Sequence, residues 1–298
     1  MKKKFCYLLF VIMGVLSSCS NDVETAKPQE PVQEVLPKTI SFQPKSTNEK
    51  EKLQTSTFVY NGNKIVSVSC VAYDKIMKTV FTYTGNFITK AEAFVDDELA
   101  STTNYVYSND KLKESVLILP NVVLSSGFYV KTVYTHNSDG TISYKYFRHY
   151  EPNTPEDGKK MSFKSGNLIN VADENPGKVD YSYVTEYKYD NKNNPLKNIT
   201  GLNLIILEGA LYNGHDMPNG DFGINDFGLN NITEKTTSII SKNGTSTYVE
   251  KYYYTYDGNG YPLTKSSDES EYKVIYSYWF FRIKSQKQNT SGFFVCEK

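Results

Sequence analysis

Cysteine, histidine and tryptophan are scarce, with four, three and one in 298 residues. No Cys-x-x-Cys pair and no two histidines stand at ligand spacing, which argues against a zinc site. His136, His149 and His215 are scattered, and there is no Gly-x-Ser-x-Gly elbow, His-Glu-x-x-His or phosphate-binding glycine loop. The chain therefore reads as non-catalytic, with no cofactor. Excess basic charge is missing as well: 33 Lys and Arg balance 33 Asp and Glu. A nucleic-acid surface needs a concentrated basic patch, so nucleic acid is not an expected partner.

Long apolar runs are also absent. The stretch from Phe5 to Leu16 is short of the roughly 20 residues that a spanning helix needs, but it suits a signal peptide. It follows Lys2, Lys3 and Lys4 and leads into Leu16-Ser17-Ser18-Cys19, which resembles the lipobox of bacterial lipoproteins. The expectation is cleavage after residue 18 and lipidation of Cys19, with the membrane as partner through that anchor. Three lysines would leave with the signal and no acidic residue, giving the mature chain a charge of about −3. Residues 20 to 38 hold Pro28, Pro31 and Pro37 among Gln, Glu and Lys, the composition of an extended spacer. The reading is thus a signal (1–18), an acylated tether (19–38) and one folded domain (39–298).

Tyrosine is abundant, at 25 residues, and it is patterned. Phe58-Val59-Tyr60 precedes Asn61-Gly62-Asn63, Phe81-Thr82-Tyr83 precedes Thr84-Gly85-Asn86, and Tyr105-Val106-Tyr107 precedes Ser108-Asn109-Asp110. The plan recurs at Tyr134, Phe163, Tyr187-Lys188-Tyr189-Asp190 and Tyr254-Thr255-Tyr256-Asp257-Gly258-Asn259-Gly260. Aromatics suit a half-buried pleated face, and Asn, Asp and Gly tolerate the positive φ of hairpin turns. Each unit is therefore a strand, a turn and a return strand. Tyr181, Tyr183, Thr185, Tyr187 and Tyr189 share one face by period-2 alternation, as do Tyr252, Tyr254 and Tyr256.

One stretch breaks the rhythm. Leu202, Leu204, Ile205, Ile206 and Leu207 precede Glu208-Gly209 and predict a short helix, and residues 213 to 231 read as a long loop capping one end of the sheet. The expected fold is all-β, an antiparallel meander of Tyr-rich hairpins with at most one short helix. Its form is left as an open curved sheet, a half-barrel or a sandwich.

Two site readings attach to this plan. His215, Asp216, Asn219, Asp221, Asn225 and Asp226 form an oxygen-rich loop, with Asp216, Asp221 and Asp226 as candidate cation ligands, although the spacing is not that of an EF-hand. After removal of Cys6 and acylation of Cys19, Cys70 and Cys296 remain as a candidate disulfide; the alternation of Val66, Val68, Cys70 and Ala72 instead favours a buried thiol.

The Tyr-x-Tyr-Asp-x-x-Gly units resemble the YD repeats of RHS-type proteins. The series Tyr189-Asp190 to Asn198, Asn230-Asn231 and Tyr254 to Pro262 is similar to uncharacterised β-repeat lipoproteins of Bacteroidota. That resemblance implies an outer-membrane lipoprotein, at the cell surface or on the periplasmic leaflet, with no catalytic residues to carry over. The expected function is a scaffold that docks to another envelope protein through sheet edges or the 213 to 231 loop. The alternative is a surface glycan-binding accessory protein of a polysaccharide-uptake system, using exposed tyrosine rows.

Overall fold

The computed structural model describes residues 33–45, 53–72, 74–120, 128–174, 181–209 and 228–282. The chain forms β1 (Gln33–Pro44), β2 (Gln54–Asn61), β3 (Lys64–Ala72), β4 (Lys75–Thr84), β5 (Phe87–Val95), β6 (Glu98–Ser108), β7 (Lys111–Leu119) and β8 (Phe128–His136). It continues with β9 (Ile142–Arg148), β10 (Glu156–Lys164), β11 (Asn167–Asp173) and β12 (Tyr181–Tyr189), and then makes helix α1 (Leu202–Gly209). The last strands are β13 (Ile232–Ser241), β14 (Gly244–Tyr256), β15 (Pro262–Ser267) and β16 (Tyr272–Arg282). Strand β1 therefore takes in residues 33 to 38, the end of the stretch read as spacer.

Each strand pairs with the next, and β16 returns to β1, so the sheet is a closed barrel of sixteen strands. A hydrogen bond of 2.6 Å between the Thr39 and Ser277 hydroxyls crosses the closing seam. The all-β meander, with one short helix among the described residues, agrees with the sequence reading. The open sheet, half-barrel and sandwich do not: the barrel is closed. Hairpin signals specify neighbours in sequence, whereas closure pairs strands more than 200 residues apart and removes every free edge.

The repeat has a local irregularity that explains its tyrosines. A register shift falls just before Tyr60, Tyr83, Tyr107, Phe163, Tyr189 and Tyr256, where the strand leaves the regular ladder. The residues paired with these six are Ile65, Ile88, Leu112, Leu168, Ile232 and Pro262. Side chains of later strands reach back to carbonyls of this set: Tyr107 to Ile88 at 2.8 Å, Tyr189 to Leu168 at 2.7 Å, Tyr254 to Ile232 at 2.8 Å and Tyr278 to Pro262 at 2.6 Å. At Leu112 the partner is His136 Nε2, 2.8 Å away. A bulge loosens the ladder, and a phenol or imidazole from the next repeat ties it to its neighbour.

The turns at this end use the residues expected of them. Gly62 and Gly85 have φ of 59° and 58°, and Asn109 and Asp110 reach 50° and 60°. Two apolar clusters line the interior. One joins Leu36, Ile40, Phe58, Val68, Met77 and Phe81 to the segment around α1. The other gathers Leu112, Tyr134, Tyr144, Met161, Leu168 and Val171 from β7 to β11.

Candidate functional site

The two ends of the barrel differ. The turns that follow the Tyr-x-Tyr motifs lie at one end, and a cap made by residues 190 to 209 lies across them. Leu196, Ile199, Leu202 and Ile205 are buried in the first cluster. The cap also bonds to the strand ends. Thr200 N donates to Asn63 O at 2.9 Å, Asn193 N to Gly260 O at 2.9 Å, and Asn198 Nδ2 to Val35 O at 2.9 Å. Tyr83 donates its hydroxyl to Thr200 O at 3.0 Å. Gly201, with φ +76°, comes so close to the β4–β5 turn that a Cβ would stand 2.6 Å from Asn86 O.

Asp190 anchors the start of the cap. Its carboxylate accepts from Lys192 N at 2.9 Å, Asn231 N at 3.1 Å and the Tyr256 hydroxyl. Asn167 holds the other side, accepting from Leu229 N at 2.8 Å and Asn230 N at 3.1 Å. Residues 190 to 209 thus cap the barrel and residues 228 to 231 pack beside them; the rest of the expected capping loop, residues 213 to 227, lies outside the described residues. Helix α1 meets β5 and β7, whose interior-facing positions include the small residues Ala91, Ala93 and Ser115.

At the opposite end the interior parity meets solvent on the β12 to β14 side, while Cys70, Met77 and Val130 stay buried on the β3, β4 and β8 side. Tyr144, near the middle of the second cluster, is 1% exposed, whereas Tyr181, Tyr183 and Tyr248 are 56%, 44% and 64% exposed. All three carry the parity that faces the barrel interior, because Thr185 and Tyr183 pair with Thr237 and Ile239, and Thr237 pairs with Tyr248. This open mouth holds a pocket of about 550 Å³ bounded by Lys235, Thr237, Tyr248, Glu250 and Glu269. Lys235 and Glu250 face each other directly across β13 and β14. Lys265 Nζ lies 4.5 Å from the centroid of Tyr252, and Lys159 Nζ 6.0 Å from that of Tyr183. The mouth can therefore offer aromatic faces, hydroxyls and both signs of charge to a solute.

The outer face is of another kind. Lys90, Asn104, Val116, Lys131 and Phe147 form one continuous cross-strand row on it. Lys188, Glu234 and Lys251 form another, with an ion pair of 2.7 Å between Lys188 and Glu234.

The sequence candidates fall as follows. Cys70 is buried in β3, and its candidate partner Cys296 lies outside the described residues, as do Cys19, His215, Asp216, Asp221 and Asp226. Among the described residues no group of three or more His, Cys, Asp or Glu side chains is placed to hold a metal. His136 serves the strand latch, and His149 packs against Phe128 and Tyr150. The edge-docking scaffold is overturned, because a closed barrel has no free strand to augment. The glycan-binding accessory is overturned as well, since the tyrosine rows on which it rested face the barrel interior rather than forming an exposed outer platform. Sequence reasoning missed the mouth residues Lys235, Glu250 and Glu269; the alternation of Glu250 with Tyr248 and Tyr252 was the signal that could have found the second of them.

No protein-family profile matches the chain, and no curated protein matches it. The YD-repeat resemblance is accordingly not shown. Among solved structures, the crystal structure of a porin-like protein from Bacteroides vulgatus ATCC 8482 aligns with a TM-score of 0.48 and 17% identity. The alignment covers 81% of this chain and 98% of that one.

Proposed function

We propose that this protein is an exported lipoprotein of the outer membrane, tethered through Cys19, that takes up a soluble ligand in the open half of its barrel. One observation carries the ligand reading: on the β12 to β14 side of the barrel, interior-facing side chains are exposed at the mouth, whereas Leu196, Ile199 and Ile88 are buried at the cap end. With no free edges, the concave surface left is the interior, a cleft of the part-aromatic kind that ligands occupy. The address rests on the charged, apolar and small segments that run up to Cys19.

Cysteine accessibility tests the cleft. In a cysteine-free background, Thr237→Cys at the mouth is expected to react quickly with a small maleimide, and Ile88→Cys, buried beneath the cap, slowly. Equal, slow labelling of both would remove the cleft. Fractionation tests the address: Cys19→Ala should leave the membrane pellet, and its retention there would refute lipid tethering.

A second reading, a channel through the membrane, is favoured by strand number, since sixteen strands is the porin size at which a barrel can hold water. The outer face is mixed: Val59, Val71, Ile76, Val106, Ile118, Ile240 and Trp279 are exposed on it, as lipid contact asks, whereas its lysines weigh against lipid. Lys90, Lys131, Lys188 and Lys251 point outward from within their strands, and a lysine facing lipid at the bilayer midplane costs about 2–4 kcal/mol. The interior, conversely, is packed with Ile, Met, Phe and Tyr beneath a cap. Stepwise conductance in planar bilayers would establish the channel and displace the blind-ended cleft.

A further inference from the structure

We infer that the ligand of the open mouth is an organic cation, an amine or guanidine carried on a carbon skeleton; this rests on the reading of the mouth as a binding cleft. Three features of the mouth converge on that chemistry. The first is the rim, where two turns far apart around the ring are acidic: Asp96 and Asp97 between β5 and β6, followed by Glu98 at the start of β6, and Asp268, Glu269 and Glu271 between β15 and β16. Carboxylates on two sides of a concave opening bias its potential toward negative, which raises the local concentration of cations and repels anions.

The second is the pocket itself. Lys235 and Glu250 oppose one another across the ladder and offset each other's charge. That leaves Glu269 as the remaining charge among the lining residues, in the same pocket as Tyr248, the most exposed of the three mouth tyrosines. A carboxylate next to an open aromatic face is the pairing that holds an ammonium group, by charge on one side and by the ring quadrupole on the other.

The third is that this wall already accepts ammonium groups. Lys265 and Lys159 direct theirs to Tyr252 and Tyr183. Tyr248 presents the same kind of ring, more open to solvent. A ligand ammonium between Tyr248 and Glu269 would repeat the arrangement, with its carbon skeleton lying toward Thr237, which shares the face of Tyr248.

The test is calorimetric titration of the full mature protein with benzyltrimethylammonium, and with phenylacetate as an anion of similar size. Saturable binding of the cation is expected, weakening with added salt. Glu269→Gln and Tyr248→Leu should each loosen it about fivefold. Both side chains are exposed, so the variants should keep the wild-type melting temperature, which is checked in the same preparations. Preferential binding of phenylacetate, no cation binding, or cation binding indifferent to both substitutions would overturn the assignment. Labelling of Thr237→Cys separates the two levels: rapid labelling without cation binding removes the ligand class and leaves the cleft, while slow labelling removes both.

Discussion

Tyr107 donates its hydroxyl to the carbonyl of Ile88, 2.8 Å away and 19 residues earlier in the chain. Ile88 is the residue that pairs with Tyr83 just past a register shift, so this bond ties an irregular rung of one hairpin to the first strand of the next. Tyr189, Tyr254 and Tyr278 do the same at their own repeats. Removing one hydroxyl leaves a half-buried carbonyl without its donor, at about 1 kcal/mol. Tyr107→Phe, Tyr189→Phe and Tyr254→Phe should each lower the urea midpoint by that amount with an unchanged slope. Stabilities equal to wild type in all three would show that the latches follow from the fold rather than support it.

Tyr60 makes the opposite case. Its ring stacks 6.3 Å from Phe58 and packs on the first cluster, but its hydroxyl is buried with no hydrogen-bond partner among the described residues. A buried, unpaired hydroxyl costs about 1–3 kcal/mol. Tyr60→Phe should therefore hold or raise stability in the same urea assay in which Tyr107→Phe lowers it. A loss as large as that of Tyr107→Phe would mean that the hydroxyl is satisfied.

Much of this architecture is readable in the chain because its causes are local. Asn109-Asp110 and Gly62 mark turns since they accept positive φ, and the row from Tyr181 to Tyr189 marks a face since strand side chains alternate. Helix α1 is visible as an apolar run that ends at Gly209. Closure was not readable, because nothing near Thr39 signals that Ser277 will lie beside it. The capping role of residues 190 to 209 was not readable for a similar reason. Leu196 and Ile199 are buried by contacts with distant strands and not by any periodicity of their own. Glu269 joins Lys235 and Tyr248 only once β13, β14 and the β15–β16 turn stand side by side.

Alkaline pH should unfold the barrel through its phenols. Burial pushes Tyr83 from its ordinary value of 10.0 up to about 12, partly offset by a hydrogen bond with the Ile65 backbone. Burial also raises Tyr60, Tyr144 and Tyr278. An acid whose folded pKa is raised keeps its proton longer when folded, so between pH 10 and the folded value the native state binds more protons than the unfolded state. Stability should be level below about pH 10 and fall above it. Tyrosinate absorbance should lag behind that of free tyrosine and then rise with loss of near-ultraviolet dichroism. Gradual ionisation near pH 10 with the fold intact would contradict the burial of these rings.

Gly201 is required by geometry on two counts, its φ of +76° and its approach to Asn86 O. Gly201→Ala adds a carbon where the backbone of the β4–β5 turn stands, and in a conformation that side chains resist. We expect a loss of about 2 kcal/mol and faster proteolysis within residues 190 to 209. Gly62 provides the control, since a Cβ there meets nothing within 4 Å and the strain comes from φ alone. Gly62→Ala costing as much as Gly201→Ala would remove the close approach as the cause.

Asp190 decides whether the cap is held by charge as well as by packing. Its carboxylate gathers the backbone of Lys192, the backbone and side chain of Asn231 and the hydroxyl of Tyr256, so that the start of the cap, the start of β13 and the end of β14 meet at one group. Hydrogen bonds to an ionised acceptor contribute about 1.5–3 kcal/mol each, more than neutral ones. Asp190→Asn keeps the size and one acceptor oxygen, and should cost less than Asp190→Ala, which leaves the Asn231 and Lys192 donors without their acceptor. The measurement is hydrogen exchange of the Lys192 and Asn231 amides alongside global stability. Selective acceleration of those two amides in Asp190→Ala would establish the carboxylate as the clasp of the cap. If their protection survived in that variant, Leu196, Ile199 and Leu202 alone would be holding the segment in place.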